Sequence, residues 1–181
     1  MHTLRRAYDR VLEAIAALMI VAVAAIVVAG FVFRWLGLSL VWYDEVASIA
    51  LAWLTYYAGA LAALRGAHIG FSGFVNAMPA PLRVAATLSA SLITIFFFVI
   101  LAYTGLWVMN VLAGITLVSL PEVSQQFVQS VIPITAVLFI LAELIRLPDL
   151  LREAYRGPLV DHEIVEALHS VGAPVPGKDR P

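Results

Sequence analysis

His162, Glu166 and His169 stand at i, i+4 and i+7, a spacing that would put three metal-ligating side chains on one face of a helix. Ile164, Val165 and Leu168 gather on the opposite side, so the same pattern describes a short amphipathic segment with a solvated face. A triplet in so polar a stretch also lacks the surrounding groups that hold metal ligands in place. Asp44 and Glu45 are adjacent acids behind Trp42 and Tyr43. At a helix start they would cap it and oppose its dipole, worth about 0.3–1 kcal/mol. Two acids exceed what a cap needs, and a docking surface for a partner protein is the other reading. Arg65, His68 and Arg83 bound a segment without an acid. They set topology and meet lipid headgroups, at ~1 kcal/mol per cation, or they form an interface with another subunit. Gln125, Gln126 and Gln129 follow Ser124, with Gln125 and Gln129 one turn apart. Such amides join helices at ~0.6–2 kcal/mol per contact, and one polar face does not enclose a solute.

Several chemistries are excluded. The sequence has no cysteine, which removes disulfides, thiolate catalysis and Cys-ligated metals or clusters. Haem ligation inside a helical bundle needs paired histidines; His68 stands alone, and His2, His162 and His169 lie outside the apolar runs. A net charge of −1 gives no global attraction to nucleic acid. No catalytic, cofactor or metal site is assigned.

The elements that must position these residues are membrane spans. Of 181 residues, 62% are hydrophobic and 13% charged, against about 25% charged in an average soluble domain. So much apolar surface needs lipid as its solvent. The uncharged run from Ala14 to Phe33 exceeds a signal-peptide core of roughly 7–15 residues, and it reads as a retained first helix. A second run follows Asp44 and Glu45, from Val46 to Leu64. A third carries no charge between Arg83 and Glu122, which predicts a long tilted helix from Leu82 to Leu112 and a turn through Gly114 to Leu120. Ser119 and Glu122 fit a capping box that would start the fourth helix, with Pro121 in its first turn and a kink at Pro133. The reading is an all-α integral membrane protein of four transmembrane helices, at about 11–33, 46–64, 82–112 and 120–144. Residues 1–156 form one domain and 157–181 a mobile polar tail.

Orientation follows from the cations. Arg5, Arg6, Arg10, Arg65, Arg83, Arg146, Arg152 and Arg156 fall on one side and Arg34 alone on the other, so both termini are placed in the cytoplasm. Trp35, Trp42 and Tyr43 then lie at the outer interface. Every acid and base is expected at or beyond a span end, with Glu13 and Glu143 about one turn inside, which suits a passive helical scaffold.

The run Trp42-Tyr43-Asp44-Glu45-Val46, then Trp53, Gly59, Arg65 with His68-Ile69, Pro79, Arg83, Leu120-Pro121 and Ile132-Pro133 resembles the small permease subunit (DctQ type) of tripartite ATP-independent periplasmic (TRAP) transporters. The likeness covers roughly residues 4–156. It implies a non-catalytic scaffold in a bacterial inner membrane, with lipids around it. Its partners would be a large multi-span permease that holds the solute and sodium sites, and a periplasmic binding protein that delivers a carboxylate-bearing solute. No cofactor is implied. As partner-interface candidates the resemblance marks Trp42, Asp44, Glu45, Trp53, Arg65, His68, Arg83, Gln125 and Gln129. A small subunit of a tricarboxylate-type carrier, a haem-free membrane anchor subunit and a stand-alone four-helix protein are the alternatives.

Overall fold

The computed structural model describes residues 2–65, 75 and 77–156. The structure contains four long helices, α1 (His2–Trp35), α2 (Tyr43–Arg65), α3 (Ala80–Val111) and α5 (Val131–Arg156), and a one-turn helix α4 (Gln125–Gln129) leads into α5. Each long helix is apolar and long enough to cross a bilayer, α5 together with α4. At 1.5 Å per residue α1 and α3 are each roughly 50 Å long, well beyond the ~30 Å of hydrocarbon.

Local chemistry sets the ends. At the close of α1, Gly37 takes φ +77°, which a residue with a Cβ adopts only with strain. The Leu38 N–H then bonds the Phe33 carbonyl at 2.9 Å and the Gly37 N–H the Arg34 carbonyl at 3.1 Å, a Schellman closure. Acids open α2 (Asp44, Glu45) and Arg65 closes it, both favourable to its dipole. Pro79 and Pro81 open α3, where a missing N–H removes no helical bond.

The capping box does not form. Ser119 turns instead toward α2, and Ile115 to Gln125 folds back as a tight hairpin. The Leu117 N–H bonds the Val123 carbonyl at 3.0 Å and the Gln125 N–H bonds the Ile115 carbonyl at 2.9 Å. Leu117 is buried, and the hairpin is what lets it reach the interior. The helix starts six residues later than Ser119 at Gln125, with Ser124 as N-cap accepting from the Phe127 N–H. Pro133 lacks the N–H that the Gln129 carbonyl would need, and the hydrogen-bond ladder is interrupted at Ser130 between α4 and α5, although Ser130 keeps a helical backbone (φ −59°, ψ −23°).

The long helices pack in the spatial order α1–α2–α5–α3. Ala60, Ala63 and Ala142 let α2 and α5 approach closely around Leu12, Leu64 and Phe139. Phe98 of α3 stacks on Phe139 with ring centroids 3.7 Å apart. In the apolar stretch of α5 39% of residues are buried, against 6–11% in the other three helices, which makes α5 the central element. Gly105 permits the α3–α5 contact, since a Cβ there would stand 3.0 Å from Pro133 Cδ.

Candidate functional site

Two belts of polar contacts, one at each end of the helices, account for most of the residues singled out above. The first lies where α1 and α3 begin and α2 and α5 end. Arg65 donates from Nε to Asp9 at 2.8 Å and from Nη2 to Glu13 at 2.7 Å. The segment it bounds has no acid of its own, but α1 supplies two. Arg5 pairs with Asp149 at 3.1 Å, and the Tyr8 hydroxyl donates to the Leu138 carbonyl at 2.6 Å. His68 lies outside the described residues, as does the triplet His162, Glu166 and His169.

Arg83 is buried and donates from Nε to the Ala154 carbonyl of α5 at 2.6 Å. Ala154 lies in the last turn of α5, which ends at Arg156, so its carbonyl has no donor within the helix. A guanidinium from another helix supplies the donor, at the negative end of the α5 dipole.

Glu143 is buried and accepts from the Ser91 hydroxyl at 2.6 Å, a contact that ties α3 to α5.

At the other end Glu45 accepts from both the N–H (2.9 Å) and the hydroxyl of Ser119, and so anchors the hairpin to α2. Trp53 donates from Nε1 to the Val128 carbonyl at 3.0 Å, beside the α4–α5 break, while its ring meets Phe127 at 5.3 Å. Gln126 donates from Nε2 to the Met109 carbonyl at 2.9 Å. That carbonyl sits in the last turn of α3, and the Ala113 N–H that would have served it goes to Asn110. Gln125 and Gln129 are half-buried and their amides donate no such bond to the described residues, and Trp42 and Asp44 are exposed.

Most of these contacts serve backbone groups at helix ends and breaks, which need protein donors and acceptors wherever water is excluded. Glu45, Trp53, Arg83 and Gln126 serve such groups within the chain, while Ser91 and Glu143 satisfy each other. Among the described residues no three His, Asp or Glu side chains converge on one point. The arrangement holds helices and exposes apolar flanks.

The family model described as "Tripartite ATP-independent periplasmic transporters, DctQ component" matches residues 23–153. No curated protein matches the chain.

Proposed function

The chain belongs to the DctQ component family of tripartite ATP-independent periplasmic transporters, and on that premise we propose its role within the complex. As a small subunit of such a transporter it is a multi-span membrane protein concerned with transport. We propose that it is a non-catalytic scaffold for a large multi-span permease, which carries the solute and sodium sites and draws on a soluble periplasmic binding protein. The solute is a carboxylate-bearing organic acid, and uptake runs on the sodium gradient. The belt containing Arg5, Arg65 and Arg83 faces the cytoplasm of a bacterial inner membrane, because arginines concentrate there.

What supports the scaffold reading is the use of the polar side chains. Trp53, Arg83, Gln126, Ser91 and Glu143 are bonded to the chain's own backbone or to each other, so they hold helices rather than line a path for a solute. The outward faces of α1 and α3 are apolar, with Leu18, Phe31, Phe96 and Trp107 all more than 60% exposed. They suit lipid and a membrane-embedded partner. Affinity purification from mild detergent, after expression with the neighbouring genes, tests the proposal. A stoichiometric large permease, with sodium-dependent uptake that requires this chain, is the expected result. A stable chain recovered alone, with solute flux of its own, would overturn it.

A further inference from the structure

Beside the anchored hairpin lies a groove of about 540 Å³. Its walls are Asp44, Ser48 and Ile49 of α2, Leu117 and Val118 of the hairpin, and Gln125. Glu45 is committed to Ser119 and fixes one wall. Asp44 beside it is exposed, and its carboxylate takes no hydrogen bond or ion pair from the described residues. We propose that this groove receives a lysine or arginine side chain of the soluble binding component, with the charged head on Asp44 and the aliphatic stem along Ile49, Leu117 and Val118. The inference rests on the reading given under Proposed function.

Charge selects the occupant. At this end the described acids are Asp44, Glu45 and Glu122 and the described cation is Arg34, three against one. Shape is compatible with it: the groove is open along one side, so a side chain can lie along its apolar wall. An acid next to an apolar wall matches a long stem with a cationic tip, as lysine and arginine present when they snorkel. A lipid ethanolamine has the charge without the stem, and would leave the apolar wall bare. A divalent hard cation needs six or more oxygens, far beyond one exposed carboxylate. Position selects the side of approach. The groove is built from the first turns of α2 and α4 and the hairpin tip, where Val41 (82% exposed) and Val118 (94% exposed) stand clear of the helix flanks. A membrane-embedded partner meets the flanks; a water-borne one meets this end.

The test uses the assembled membrane subunits in nanodiscs, titrated with the purified binding component at low and high salt. Asp44→Asn is expected to weaken binding about three- to tenfold, and Asp44→Lys by more, with a flatter salt dependence in both. Ser48→Trp, which fills the groove without changing charge, is expected to weaken binding as well. Retention of the large permease stays at the wild-type level throughout. Affinities within twofold of wild type for both Asp44 variants, or for Ser48→Trp, overturn the inference. So does a loss confined to discs containing ethanolamine lipids, or one that accompanies loss of the permease. A wild-type chain that retains no permease and binds no soluble component overturns the underlying functional reading instead.

Discussion

Arg83→Met removes the donor that α3 lends to the end of α5 and keeps most of the side-chain volume. A hydrogen bond to a charged group contributes about 1.5–3 kcal/mol, and a cation at a helix C-terminus about 0.3–1 kcal/mol more. Against this, the wild-type guanidinium is buried, and removing it also removes its desolvation cost. The net loss should be about 1–3 kcal/mol. For a chain of this size about 2–4 °C of melting temperature accompanies each kcal/mol, so a fall of about 2–12 °C is expected. Scanning fluorimetry of the purified chain in mild detergent measures it. Arg83→Lys keeps the charge without the planar fork and should fall between. An unchanged melting temperature would refute the reasoning and return Arg83 to lipid or partner contact.

Three other contacts invite the same treatment. Trp53→Phe keeps the ring against Phe127 but deletes the 3.0 Å bond to Val128, at about 1–2 kcal/mol. Hydrogen exchange should quicken at the α4–α5 break, and unaltered exchange would leave Trp53 as packing only. Ser91→Ala strands the buried Glu143 carboxylate at about 1–3 kcal/mol, whereas Ser91→Ala with Glu143→Leu should recover most of that loss. Strictly additive losses in a double-mutant cycle would deny the coupling. Gly105→Leu drives a side chain into Pro133 and Ile132, the nearest atoms 3.0–3.1 Å from a Cβ, and should cost about 1–3 kcal/mol. Paired cysteines across α3 and α5 would then cross-link more slowly, which a cysteine-free sequence makes easy to read; an unchanged rate would mean a looser interface than the geometry gives.

What could be read from the sequence was what is written locally. The apolar runs identify four spans because hydropathy is a property of neighbours along the chain, and Gly114 marked the turn after α3, where φ is +83°. The contacts that organise the helices are not local. Glu45 meets Ser119 at a separation of 74 residues, Arg83 meets Ala154 at 71, and Ser91 meets Glu143 at 52. Reading Ser119 with Glu122 as a capping box failed for that reason: a local partner was available, and a distant carboxylate won. Yet a usable signal stood in the sequence. A proline inside a helix withdraws the donor from the carbonyl four residues earlier, so Pro133 left the Gln129 carbonyl without its helical donor. In water such a carbonyl would be solvated; in hydrocarbon another helix must bring a polar side chain to that depth. Trp53 binds the neighbouring Val128 carbonyl. The resemblance marked Trp53 as a partner contact, where the proline offset would have suggested the chain's own backbone first. It also singles out what remains: Asp44 stands where no carbonyl or amide of the described chain claims it, and that is the physical ground for looking there for a partner.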